Sequence, residues 1–325
     1  MPQAVGRVNC NEGILRDRTN TGVSDYQGLQ LEFRSNQLWH QLTLRTNYSY
    51  SKTTDNVDEI FGTGLAGGTS AFSQSQVNFT GSEHGLSGLD FPHSWTLTFY
   101  EEIPAFRSQQ GLLGHVLGGW ALSGTYFITS GQPYTPIQFA LNGGGPLYDN
   151  AFTAAFAGTV DQSLRPFLGN SAAPLNTVGI FAGDACNDFG VGCQLATTQL
   201  ISLNAINKGD TVGTPVTNKD VRFIANTPVA TTVFNSPFGN VARNSLRDAR
   251  TNTGNFSLYK SIKVKERLDV MWHMTMNNVF NHPNFGTIDP FLDDAGLQQE
   301  FTGFGDPTLQ NGGIRSIRFG LTLKF

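Results

Sequence analysis

The chain closes on Ser316-Ile317-Arg318-Phe319-Gly320-Leu321-Thr322-Leu323-Lys324-Phe325. Ile317, Phe319, Leu321, Leu323 and Phe325 alternate without a break against Ser316, Arg318, Gly320, Thr322 and Lys324. A period of two sends successive side chains to opposite faces of an extended strand, so one face is apolar and the other is polar or small. Such a strand needs lipid or a protein core on one side and water on the other. A one-residue slip would turn Arg318 and Lys324 to the apolar side, costing about 2–4 kcal/mol each if that side is lipid near the bilayer midplane.

Six further segments repeat the pattern. Leu29, Leu31 and Phe33 oppose Gln30, Glu32 and Arg34; after the short turn Ser35-Asn36-Gln37, Leu42, Leu44, Tyr48 and Tyr50 oppose Gln41, Thr43, Arg45, Asn47, Ser49 and Ser51. Two strands joined so closely form a hairpin. Trp95, Leu97 and Phe99 alternate up to Pro104, and Trp120, Leu122, Tyr126 and Ile128 alternate up to the turn cluster Ser130-Gly131-Gln132-Pro133. Phe256, Leu258 and Ile262 form the sixth apolar column, interrupted by Lys260, which suits a position near a membrane edge. The turn Val264-Lys265-Glu266 leads to Leu268, Val270, Trp272, Met274 and Met276. Between the hairpins lie stretches rich in Gly, Ser, Thr and Asn, about 53–91, 133–250 and 281–313, which read as long loops, the second with room for short strands. Connections thus go short, long, short, long, short, long, the pattern of an antiparallel up-and-down meander with all long loops on one side.

The totals fit an all-β membrane protein. Charged residues are 14% of the 325-residue chain, with 37 Gly and 25 Phe. No run of 18 apolar residues occurs, so a transmembrane helix is excluded while a barrel, whose strands show lipid only every second side chain, is not. A net charge of -4 without a basic stripe argues against nucleic acid as a partner. Aromatics toward strand ends (Tyr48, Tyr50, Trp95, Trp120, Trp272, Phe325) suit interfacial girdles, and charges on the opposite face (Glu32, Arg34, Arg45, Asp269, Arg318, Lys324) suit a water-filled lumen. A secreted or surface β-sandwich that binds carbohydrate or mediates adhesion is the second reading, because it too would bury an apolar strand face.

Four segments carry a family resemblance: Tyr26 to Asn56 (YQGLQLEFRSNQLWHQLTLRTNYSYSKTTDN), Phe91 to Pro104 (FPHSWTLTFYEEIP), Leu117 to Pro136 (LGGWALSGTYFITSGQPYTP) and Arg243 to Gly286 (RNSLRDARTNTGNFSLYKSIKVKERLDVMWHMTMNNVFNHPNFG). With the final strand they cover about half the chain, and in order and spacing they resemble the carboxy-terminal barrel part of TonB-dependent outer-membrane receptors of the Oar-like group. The resemblance implies a location in the cell outer membrane and a barrel of about 22 strands around a plug. It further implies outer loops that capture a solute, and uptake energised by an inner-membrane TonB complex. Against that pattern, residues 1–325 are expected to be the carboxy-terminal portion of such a barrel, with the plug, the TonB-contacting segment and the amino-terminal strands absent. Seven strands ending on the short-turn side would place residues before Ser24 on the long-loop side, and Met1 to Gly13 lacks the basic and apolar regions of a signal peptide. The implied partners are outer-membrane lipid, the barrel-assembly machinery, an unidentified solute and, through the missing part, the TonB complex. The final strand, Ile317, Phe319, Leu321, Leu323 and Phe325, is expected to close the barrel.

Catalytic and ligand motifs are weak throughout. Six histidines (His40, His84, His93, His115, His273, His282) show no zinc spacing, and two SxxK matches, Ser49 to Lys52 and Ser257 to Lys260, lack their accompanying motifs. The Gly143-Gly144-Gly145 run lacks the Gly-Lys-Ser/Thr of a phosphate loop. Acidic groups at Asp55, Asp58 and Glu59, and at Asp289, Asp293 and Asp294, have no EF-hand spacing. No catalytic residue, cofactor or metal ligand is therefore assigned, and the chain is expected not to be an enzyme. Loop aromatics and amides (Phe72, Gln74, Gln76, Asn78, Phe79; Tyr134, Phe139, Tyr148, Asn150, Phe152) suit either sugar or peptide capture or packing of loop on loop. Of the cysteines, Cys10, Cys186 and Cys193, the last two lie in one Gly/Asp/Asn-rich segment, as a small-loop disulfide or as two free thiols.

Overall fold

The computed structural model describes residues 22–38, 41–56, 83–138, 165–236, 238–265, 268–285, 289–297, 304 and 313–324. Along the chain come β1 (Ser24–Ser35), β2 (Thr43–Asp55), the two-residue β3 (Gly85–Leu86), β4 (His93–Glu102) and β5 (Trp120–Thr129). Short strands follow: β6 (Pro133–Tyr134), β7 (Phe167–Leu168), β8 (Val178–Phe181), β9 (Leu200–Ser202), β10 (Phe223–Ile224) and β11 (Leu246–Arg247). Three long ones finish, β12 (Thr251–Lys265), β13 (Leu268–Asn277) and β14 (Ser316–Lys324). The helices are α1 (Gly111–Leu117), α2 (Ala182–Phe189), α3 (Leu203–Asn207) and α4 (Pro228–Phe234).

All seven alternating segments form one meander, β1-β2-β4-β5-β12-β13-β14, antiparallel at every step, with β3 paired to the end of β2. Residues directly opposite each other share a face. The register therefore lines up Leu31, Tyr48, Trp95 and Ile128 in one row, and Leu122, Leu258, Met274 and Phe319 in another. On the reverse face the row Ser123, Ser257, Thr275 and Arg318 is polar throughout. Some residues depart from the alternation, and two of these departures are large. Phe127 stands on the polar face, opposite Thr96 and Thr253, and Lys260 on the apolar face, opposite Trp120 and Trp272. In the β12–β13 pair a register shift between Lys263 and Lys265 absorbs one extra residue.

What lies against the apolar face decides the architecture. Among the described residues, every fully buried apolar side chain belongs to the connections, from Tyr134 to Leu246 and from Phe291 to Phe304, and none to the seven long strands. The edge strands show theirs most openly: Leu29, Leu31 and Phe33 on β1, and Ile317, Phe319, Leu321 and Leu323 on β14 are exposed. Aqueous exposure of a face this large would be unfavourable at about 25 cal/mol per Å2, so lipid is its physical complement. Among the described residues no helix is long and apolar enough to cross a membrane.

The segment 133–250, expected as a long loop with room for short strands, is in its described part a folded unit. Strands β7, β10, β8 and β9 form a mixed sheet, with β10 and β8 parallel. Val178, Ile180, Ile201, Leu203 and Phe223 form its core, joined by Leu292, Ala295 and Phe304 from the last long connection. Phe223 and Phe304 meet edge to face, and Ile137 pairs with Phe291 across the two connections. The physical reason is local: these strands are two to four residues long, too short to show a period, and their core is shared between distant connections.

Candidate functional site

The two ends of the sheet differ. At one end the connections are 36–42, 103–119 and 266–267; at the other the second and third long connections share one core, forming a cap to which the described part of the first is tied by ion pairs and hydrogen bonds.

Three arginines of the cap fasten it to the sheet. Arg165 pairs with Glu83, Arg243 with Asp55 at the end of β2, and Arg247 with Asp90 just before β4. Arg243 also donates from Nη2 to the Asp55 carbonyl (2.6 Å) and from Nε to the Glu83 carbonyl (2.9 Å). Arg247 donates to the Asp90 carbonyl at 2.7 Å, and Asp90 Oδ1 accepts the Thr53 amide of β2 at 2.6 Å. Buried charges persist only when paired and hydrogen-bonded, and here each is. Thr135 and Asn244 bond each other, the Asn244 amide side chain reaches the Leu86 carbonyl, and the β6–β11 pair holds the two ends of 133–250 together.

Inside the cap the polar groups have structural duties. Asp184 is buried within α2 and accepts Thr227 Oγ1 (2.6 Å) and the Val229 amide (3.1 Å), so it caps the start of α4 from a neighbouring helix. Burial raises its pKa, while the bonds from Thr227 and Val229 pull the other way. Asp210 accepts the Thr214 hydroxyl and the amides of Val212, Gly213 and Thr214, and these bonds lower its pKa to about 2. Asp289, pushed up to about 7 chiefly by burial and further by Asp294 and Asp293, pairs with Asp294, itself raised by burial. Cys186 and Cys193 are joined in a disulfide that ties the end of α2 to the turn after Gly190, whose φ of +68° ends the helix.

The candidates from the sequence distribute unevenly. Tyr134 is a core residue, 2% exposed, and burial raises its pKa; it belongs to loop packing. Asp55 is an ion-pair partner of the clamp. Phe72, Gln74, Gln76, Asn78, Phe79, Phe139, Tyr148, Asn150, Phe152, the Gly143 to Gly145 run, Asp58, Glu59, His40 and Cys10 lie outside the described residues, as does Phe325. Ile317, Phe319, Leu321 and Leu323 sit on edge strand β14, paired to β13. Among the described residues no group of three or more His, Cys, Asp or Glu is arranged to hold a metal ion.

Lys260 has a specific partner that its sequence position did not reveal. Its Nζ donates to the His115 carbonyl at 2.6 Å and to the Gly118 carbonyl, both at the C-terminal end of α1, and lies 5.2 Å from the centre of the Trp120 ring. Carbonyls at a helix C-terminus carry partial negative charge and accept a cation well. Leu112, Leu113, Val116 and Leu117 on α1 are exposed, extending the apolar surface to the short-connection end.

On the polar face Glu32 accepts Arg34 and Arg45 Nε (3.0 Å from Arg45), and Gln30, Glu32, Asn47, Ser49, Ser94 and Thr96 line a polar groove. A meander polar on one face, apolar and unburied on the other, with its long connections gathered at one end, defines a membrane protein of the β-barrel type. Residues 6–318 match the family model described as outer membrane beta barrel domain, and the chain belongs to that family. Its place is the outer membrane, and membership in a barrel family accords with a non-catalytic role. Comparison with curated proteins and with solved structures gave no match.

Proposed function

We propose that this chain is a wall section of a TonB-dependent receptor barrel of the Oar-like group, serving uptake or surface binding of a solute. The observation that carries the proposal is the cap: two long connections folded into one core, with the first tied to them by buried ion pairs, over the end of a sheet whose inner face is polar. The cap would face outward, where long connections of such barrels lie, and the short turns inward. Strand direction supports a larger barrel. β1 and β14 run the same way, because an even number of antiparallel steps separates them. Antiparallel closure then needs an odd number of further strands between these two edges, and the smallest bacterial barrels have eight.

In this reading β14 is the strand that closes the seam with the barrel's first strand, delivered by the barrel-assembly machinery, and the TonB complex is reached through the plug. The test is made in cells producing the full-length protein. A membrane-impermeant amine reagent should label Lys208 and Lys219, exposed on the cap, and solute binding or uptake should collapse when the energising complex is deleted. Unlabelled cap lysines refute the orientation; uptake indifferent to the energising complex refutes the receptor class. The β-sandwich reading requires a second layer on the apolar face. It would regain ground if the chain folded in water without detergent and showed no heat-modifiable migration.

A further inference from the structure

The apolar column of β12 is bracketed by two cations. Phe256, Leu258, Lys260 and Ile262 share the apolar side, and the same alternation carried upward passes Gly254 and Asn252 to Arg250, one residue before the strand begins. Ten residues at about 3.4 Å span about 34 Å, and at a strand tilt of about 40° this rises about 26 Å, close to the roughly 25 Å apolar band of outer-membrane barrels. Lys260 and Arg250 therefore fall at the two headgroup levels.

They differ in one respect. Lys260 is neutralised within the protein by the carbonyls at the end of α1. Arg250 is exposed, and among the described residues its guanidinium has no ion-pair or hydrogen-bond partner. It stands at the mouth of a groove of about 590 Å3 lined by Tyr48, His93, Trp95, Ile128, Thr129 and Ser130, with no carboxylate among them. The rings are held in place: Tyr48 Oη and His93 Nδ1 are 2.9 Å apart, and Trp95 Nε1 donates to Thr46 Oγ1 at 2.7 Å.

We propose that this groove binds a phosphorylated lipid of the outer leaflet, with the lipid phosphate on Arg250 beside the Ser130 hydroxyl and the apolar part of the lipid along Tyr48, Trp95 and Ile128. Charge complementarity and continuity with the lipid-facing surface single out this occupant. A guanidinium presents a planar fork of donors that matches phosphate, and aromatic rings at this level suit the junction of headgroup and acyl chain. The assignment rests on the outward placement of the cap, yet its test does not depend on orientation. Failed labelling of the cap lysines in cells would strike the outer-leaflet placement, whereas failed lipid binding in micelles would strike the site itself.

The experiment uses the full chain in zwitterionic detergent micelles. A diphosphorylated acyl-glucosamine lipid, the same lipid dephosphorylated, and inorganic phosphate are titrated separately, with bound mass read by native mass spectrometry. The phosphorylated lipid should bind, and Arg250→Gln should weaken it about fivefold, the value of one basic residue near an anionic surface. Arg250→Lys should retain most of the affinity. Removing the phosphates should weaken binding by a similar factor, and millimolar inorganic phosphate should leave the lipid bound. Equal binding by Arg250→Gln, indifference to the phosphates, or displacement of the lipid by inorganic phosphate would each overturn the proposal. If Arg250→Gln loses heat-modifiable migration, the comparison of phosphorylated and dephosphorylated lipid on the unaltered chain decides alone.

Discussion

Replacing Arg243 by Met should unlatch the cap while leaving the sheet intact. The guanidinium of Arg243, 2% exposed, supplies the cation for Asp55 and donates to two backbone carbonyls, those of Asp55 and Glu83. Arg243→Met keeps the apolar stem and leaves a buried carboxylate without its counter-ion. Losing one partner of a buried pair costs about 3–5 kcal/mol. At about 1.4 kcal/mol per factor of ten, the population of the detached cap rises by at least roughly a hundredfold. Limited proteolysis within 165–236 measures this, since cleavage follows the open population when reclosing is fast. Heat-modifiable migration reports on the sheet separately. Asp55→Asn should also loosen the cap, and the double variant should cost less than the sum of the singles, with a coupling of about 2 kcal/mol. Strict additivity, or a cap no more cleavable in Arg243→Met than in the parent, would refute the clamp.

Three other outcomes follow from the geometry. Lys260→Ala strands the His115 and Gly118 carbonyls and should lower stability toward urea in lipid vesicles by about 1–3 kcal/mol, with a shift in Trp120 emission; an unchanged midpoint and spectrum would remove the role assigned to α1. Leu321→Arg on the apolar face should cost about 2–4 kcal/mol of sheet stability in vesicles, and Thr322→Arg on the polar face far less, so equal effects would contradict the assigned facing. Asp289 has a pKa raised to about 7, so the folded cap binds more protons than the unfolded chain between the ordinary carboxylate range and pH 7. Cap stability should therefore fall as pH rises from about 4 to about 7. Asp289→Asn should flatten that slope in thermal melts of the cap, and a parent profile that rises with pH over this window would contradict the buried pair.

The meander was legible because a lipid-facing strand has no choice but to alternate. Leu29 to Phe33 and Ile317 to Leu323 carry the signal at both edges, and the pattern of short and long connections supplied the order. Phe127 broke the rule silently, since an aromatic on the polar face of a wide sheet need meet only neighbouring side chains. Lys260 stood out as a break in an apolar column, but its partner lay in a seven-residue helix too short to register as a period. The cap was illegible for a different reason. Its strands run two to four residues, and Phe223 meets Phe304 across 81 positions, a proximity that no local pattern encodes. Nothing local in the sequence marks Arg165, Arg243 and Arg247 as clamps, because burial of a cation is decided by its distant partner. Tyr134, open at first to a role in capture, turned out to be packing for that reason too.

The three clamps join residues 82, 157 and 188 positions apart, whereas the disulfide spans only seven. Closing such long loops from a disordered chain is entropically slow, so the clamps form late, after neighbouring hairpins have already brought their ends near. Their formation also inspects the work before it. Asp55 is the last residue of β2, and a one-residue misalignment of that strand would swing its carboxylate to the opposite side, out of reach of Arg243. A misregistered β2 should therefore leave Arg243 without its partner and the cap open to protease, so protease resistance is expected to report correct register as well as cap closure.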